Sequence, residues 1–116
     1  MNDLFDKWTV QVRKGLLDFC ILSALSGRER YGYELVKSLA GVPGLGVTEG
    51  TLYPLLSRLR VQGLVTARLV ESTEGPARKY YRLSEDGRDT LDLMEEYMET
   101  LIAGAKSLRQ QEGGSR

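Results

Sequence analysis

Between Glu85 and Leu108 the sequence places Leu91, Met94, Met98, Leu101, Ala105 and Leu108 alternately three and four residues apart. That spacing predicts one long helix with a heptad-like seam, widened by Tyr97 and Ile102. Ser84 is placed to cap its start, with Glu85 and Asp86 in the favourable first turn. At 1.5 Å per residue such a helix reaches about 36 Å. The chain has only 116 residues, enough for one compact domain and too few for two. Its seam outruns what the rest of so small a domain can cover, so packing against a second copy is expected. Residues 110–116 are polar and glycine-containing and are expected to form a disordered tail.

A second pattern limits what precedes that helix. Leu52, Leu55, Leu56 and Leu59 fall at i, i+3, i+4 and i+7, one apolar stripe of a helix running from Thr48 to about Gln62. Thr48 serves as N-cap and Glu49 suits the first turn. The opposite face presents Gly50, Tyr53, Pro54, Ser57 and Val61, flanked by Thr51 and Arg58. Gly50 and Pro54 are poor helix formers with no packing reason evident in the sequence. Gly63 supplies the stop.

Around these two helices the chain alternates short elements. Residues 3–13 suit a short helix, Gly15 allows a bend, and residues 16–25 form an apolar second helix closed by Gly27. Tyr31–Leu39 begins another, with Leu35, Val36 and Leu39 on one side, before a loop over residues 41–46. Leu64–Glu71 and Arg78–Leu83 read as two strands joined by a turn containing Gly75-Pro76. In the second strand Tyr80 and Arg82 share one face and Tyr81 and Leu83 the other. One tyrosine is core and one exposed, and alternation leaves open which. The fold class is therefore mainly α with a small β-hairpin, a winged helix-turn-helix with an N-terminal helix and a long C-terminal dimerisation helix. Residues 1–83 make the DNA-binding domain and 84–109 the dimerisation helix.

Composition narrows the function. The chain contains no histidine and one cysteine. The commonest general base and the commonest zinc ligand are thus missing, so no enzyme, metal site or cofactor is expected. Cys20, between Phe19 and Ile21, reads as a small buried hydrophobe. The apolar run from Leu16 to Leu25 is too short to span a bilayer and no cleavage site follows it, so a cytoplasmic protein is expected, with no membrane partner. Net charge is zero, yet it is unevenly placed. Residues 28–82 carry nine basic against five acidic side chains, and residues 83–116 carry four against eight. A basic middle suits a domain with one face toward phosphates.

The motifs Tyr31-Gly32-Tyr33-Glu34-Leu35, Glu49-Gly50-Thr51-Leu52-Tyr53-Pro54-Leu55-Leu56-Ser57-Arg58-Leu59, Gly63-Leu64-Val65 and Gly75-Pro76-Ala77-Arg78-Lys79-Tyr80-Tyr81-Arg82-Leu83-Ser84-Glu85-Asp86-Gly87 occur in order and without large gaps. Over roughly residues 14–100 the chain resembles the PadR family of bacterial transcriptional regulators, in its smaller form with one C-terminal helix. The resemblance implies a homodimer that represses transcription at an inverted-repeat operator in double-stranded DNA. It also implies release by a small hydrophobic or phenolic effector. Multidrug-sensing relatives place an aromatic in the C-terminal helix facing the dimer mate; this chain has Tyr97 and Met98 there, and its one tryptophan is Trp8.

Candidate contact residues follow. On the helix from Thr48, the residues Thr48, Thr51, Tyr53, Ser57 and Arg58 offer hydroxyls and one forked donor to a major groove. Arg78 and Lys79 open the returning strand beside the Gly-Pro turn, where the family motif favours phosphate or minor-groove contact over a charged edge strand. Tyr31 is either a phosphate donor at a helix start or a core tyrosine. Trp8, Met94, Tyr97 and Met98, adaptable groups that can gather at one interface, are the candidate effector site. The competing reading is a winged-helix protein-interaction module that never touches DNA. The basic segment and the Ser/Thr/Tyr/Arg outer face favour a sequence-specific DNA-binding regulator.

Overall fold

The computed structural model describes the backbone of residues 2–115 and the side chains of residues 2–111. Its elements are α1 (Asp3–Ala24), β1 (Arg30–Tyr31), α2 (Gly32–Ala40), α3 (Glu49–Val61), β2 (Val65–Val70), β3 (Arg78–Leu83) and α4 (Glu85–Ser115). The order is that of a winged helix-turn-helix, mainly helical as expected, and the N-cap and bounds of α3 fall where its sequence pattern puts them. Thr48 Oγ1 accepts from the Thr51 N–H at 3.3 Å. Pro54 lies inside α3 without dividing it.

Three features differ from expectation. The two helices expected on either side of Gly15 are one helix, capped at its start by Asn2, whose side chain accepts from the N–H groups of Leu4 and Phe5. A mid-helix glycine costs about 1 kcal/mol relative to alanine, too little to break a ladder that continues on both sides. The hairpin gains a third strand, β1, giving the sheet order β1-β3-β2. Its two residues pair antiparallel with β3, Arg30 opposite Tyr81 and Tyr31 opposite Tyr80. Finally, α4 runs on through residues 110–115, expected as a disordered tail. Propagating an existing helix avoids the nucleation cost, and Arg109, Gln110 and Gln111 are good helix formers. Arg116, the last residue of that expected tail, lies outside the described residues.

The core is built from one stripe of each helix and one face of the sheet. Ile21 and Leu22 of α1, Leu35 and Leu39 of α2, and Leu52, Leu56 and Leu59 of α3 are almost wholly buried. Val65, Tyr81 and Leu83 close it from the sheet, and Leu91 of α4 from below. Tyr81 is therefore the core tyrosine, and burial raises its phenol pKa. Tyr80 is half-buried on the outer face. No buried polar or charged residue occurs among the described residues. No helix among them is long and apolar enough to cross a membrane.

A small knot fixes how α4 leaves this core. Gly63 takes φ +81°, a left-handed value that favours glycine, and turns the chain from α3 into β2. Ser84 Oγ donates to the Gly63 carbonyl at 2.6 Å and accepts from the Gly87 N–H at 2.9 Å. The Ser84 N–H donates to the Leu64 carbonyl at 3.1 Å. One serine thus caps α4 and ties it to the end of α3.

Gly87 packs so closely that a Cβ would stand 2.0 Å from the Leu64 carbonyl oxygen. Because that atom is backbone held in the knot, Gly87→Ala should destabilise the protein by about 3 kcal/mol or more. Equilibrium denaturant unfolding of the two proteins would measure the loss.

Candidate nucleic-acid interface

With Leu52, Leu56 and Leu59 turned inward, α3 leaves Thr51, Tyr53, Pro54, Ser57 and Arg58 exposed. Thr48, at the N-cap, is exposed beside them, and its hydroxyl lies 3.2 Å from that of Thr51. All five α3 candidates from the sequence are therefore on or beside one outward face. The helix can present that face because its stability comes from the leucine stripe and not from the outer residues.

The wing meets this face at a concavity of about 200 Å³, lined by Tyr31, Gly32, Tyr33, Tyr53, Arg78, Lys79 and Tyr81. It gathers Tyr31, Tyr53, Arg78 and Lys79 from three separate elements. Alternation along β3 puts Lys79 on the same face as Tyr81, toward α3, and Arg78 on the outer face. There the Arg78 guanidinium lies 4.6 Å from the centre of the Tyr31 ring. Tyr31 is neither fully core nor free: it is half-buried, with its ring 5.6 Å from Tyr80 and 6.5 Å from Tyr33. Its backbone N–H donates to the Glu34 carboxylate at 3.1 Å, which completes the start of α2.

The sequence pattern missed two members of this surface. Tyr33 is exposed, and the Lys37 ammonium lies 5.3 Å from its ring centre, one turn further along α2. The i, i+4 spacing of Tyr33 and Lys37 was the available signal. Gly32 was legible only as part of a motif; a Cβ there would stand 2.6 Å from the Tyr53 ring. Arg58 stands apart from the concavity, its guanidinium donating to the carboxylate of Asp18 on α1. On the outer sheet face Glu29 is doubly bonded by Arg68, with Arg68 Nε at 3.1 Å. That bonding lowers the Glu29 pKa.

A second feature lies between α1 and α4. An apolar cleft of about 810 Å³ is lined by Trp8, Phe19, Leu93, Met94, Tyr97 and Met98, among others. All four residues named as an effector site come together in it. Trp8 is 60% exposed and Tyr97 66% exposed. The α1 wall repeats at Trp8, Val12, Leu16 and Phe19, a stripe that an assumed bend at Gly15 had concealed. Nearby Cys20 is half-buried, less covered than expected, and its burial raises the thiol pKa, which disfavours the reactive thiolate.

Residues 21–93 match the profile of the transcriptional regulator PadR-like family. The fold is similar to that of a PadR family transcriptional regulator from Eggerthella lenta DSM 2243, with a TM-score of 0.79 and 36% identity over 91% of this chain and 92% of that one. It is also similar to a PadR-like transcription factor from Bacteroides fragilis, with a TM-score of 0.76 and 37% identity over 88% of this chain and 98% of that one. Transcriptional regulator YqjI of Escherichia coli (strain K12) is 32% identical over 105 residues, which is 83% of this chain; the chain spans 48% of that relative.

Gly32→Ala gives a contrast to Gly87→Ala. The atoms a new methyl would meet are the far end of the Tyr53 side chain, which can swing toward solvent. The expected stability loss is below about 1 kcal/mol in the same unfolding measurement. The Tyr53 ring should nevertheless leave the concavity, which a shift of its ring resonances would report.

Proposed function

Since the chain belongs to the PadR-like family of transcriptional regulators, which are not enzymes, we propose that it is a homodimeric repressor that reads an inverted-repeat operator through α3 and is released by a small apolar effector. The observation that carries the DNA-reading part is the pairing of a core-docked α3, polar on its outer face, with a cationic wing concavity beside it. In this reading the N-terminal half of α3 enters a major groove. Thr51, Tyr53 and Ser57 meet base edges or nearby phosphates, and Lys79 with the hydroxyls of Tyr33 and Tyr53 follows the adjoining phosphate strand. Arg78, seated on Tyr31, extends toward the neighbouring groove.

Dimerisation is supported by the apolar surface that one copy leaves uncovered on α4. Leu101 and Leu108 are 52% and 63% exposed, at the continuation of the stripe that buries Leu91. A two-fold pair would set two α3 helices about 34–36 Å apart, the spacing of successive major grooves on one DNA face. The cleft between α1 and α4 suits a flat apolar effector, with Trp8 and Tyr97 as stacking surfaces and Met94 and Met98 as adaptable walls. Such a ligand releases DNA only by binding the DNA-free arrangement more tightly.

Two experiments test this reading. Lys79→Ala should weaken binding to every duplex and flatten the salt dependence by about one unit, whereas Ser57→Ala should cost roughly 1–3 kcal/mol on the cognate site and little on random DNA. Anisotropy titrations at several salt concentrations separate the two; equal losses on both duplexes for Ser57→Ala would remove it from base recognition. Trp8 is the one tryptophan, so effector entry should shift or quench its emission. Trp8→Ala should weaken the response to effector while leaving DNA affinity largely intact. Full release of DNA from Trp8→Ala by an authentic inducer would move the effector site elsewhere.

A further inference from the structure

Arg58 lies on the flank of α3, and its guanidinium donates to the carboxylate of Asp18, forty residues earlier on α1. The Arg58 side chain is 48% exposed and that of Asp18 25% exposed, so the pair lies at the rim of the α1–α3 contact. An ion pair this exposed contributes little to stability. The two helices are already joined beneath it by Ile21, Leu22, Leu52 and Leu56, all fully buried. The pair is therefore not what holds α1 to α3. What it does change is the charge of the outward face of α3: the forked cation beside Ser57 is neutralised by a carboxylate of the same chain.

This matters on the reading that α3 enters DNA, on which the inference rests. A phosphate or a base acceptor that engages Arg58 must either take it from Asp18 or lie beside an anion, and like charges at contact distance repel. We propose that Asp18 is an internal competitor of DNA for Arg58, holding that side chain in reserve so that duplex binding has to displace a carboxylate. Asp18 also precedes Phe19, which lines the cleft between α1 and α4. The competitor is thus carried by the helix that an occupant of the cleft would touch.

The test uses the intact protein and its Asp18→Asn, Arg58→Gln and doubly substituted forms. Each is titrated by anisotropy with a labelled random duplex of about 30 base pairs, long enough for two half-sites one helical turn apart. At about 0.1 M salt, where screening acts over about 10 Å, Asp18→Asn should bind about three- to tenfold more tightly than the unsubstituted protein. The gain should vanish in the Arg58→Gln background, because nothing remains to be released. Thermal unfolding should give nearly the same midpoint for all four. Asp18→Ser, which removes the charge with a different side chain, should reproduce the ratio if Asp18→Asn folds poorly. An unchanged or weaker affinity for the Asp18 variants overturns the proposal, a weaker one because Asp18 would then be orienting Arg58 for DNA. A gain that persists with Arg58→Gln also overturns it, since that is a general charge effect. An unsubstituted protein that binds no duplex would fail earlier, at the DNA-reading function itself.

Discussion

The hydroxyl of Ser84 holds together the two halves of this protein. It donates to the carbonyl of Gly63, at the end of the helix that faces outward, and accepts from the N–H of Gly87, in the first turn of the long helix. A single side chain thereby satisfies an orphan N–H in the first turn of α4 and the carbonyl of the glycine that turns the chain out of α3. The left-handed turn at Gly63 and the bare Cα of Gly87 are what let the backbones come close enough for it. The direction in which α4 departs, and hence its course alongside α1, follows from this knot. Leu91, near the start of α4, is buried in the core, and the apolar cleft lies between α1 and α4.

Magnitudes explain the division between what holds the fold and what is free to act. Each leucine buried in the core contributes on the order of 1.5–3 kcal/mol, whereas an exposed ion pair contributes about 0–1 kcal/mol. The thirteen aliphatic side chains buried among the described residues, from the helices, the sheet and the loops between them, therefore decide the architecture. The basic and hydroxyl side chains outside it carry little of that stability. Arg58, Lys79, Tyr53 and Ser57 can be placed for recognition without being needed for folding. The same reasoning applies to the cation–aromatic contacts of Arg78 with Tyr31 and Lys37 with Tyr33, which order side chains at a surface more than they stabilise a core.

Much of the architecture was legible because it is written in local periods. The leucines of α3 repeat with the helical period, Thr48 and Ser84 mark helix starts, and Gly63 marks a stop. The alternation in β3 predicted that one of Tyr80 and Tyr81 would be buried, but could not say which. Alternation fixes two faces without naming the inner one, and that choice was made when the face carrying Tyr81 and Leu83 packed against the leucine stripes of the helices. Strand β1 itself, two residues long, has no period to read. Gly15 does not break α1, because an established hydrogen-bond ladder on both sides outweighs the cost of one glycine.

The residues proposed for recognition were nameable one helix or strand at a time, because each element's exposed face follows from its buried one. Their company was not. That Tyr31, Tyr53, Arg78 and Lys79 share one concavity, that Trp8 faces Met94, Tyr97 and Met98, and that Asp18 rather than solvent meets Arg58 are consequences of contacts between residues tens of positions apart. The sequence by itself determined the elements, their inward stripes and the polar character of the surface, since those depend on the chemistry and spacing of near neighbours. The tertiary structure alone decided which surfaces face one another, because relative placement is set by packing the leucine stripes together and by the backbone knot at Ser84, and neither leaves a periodic trace along the chain.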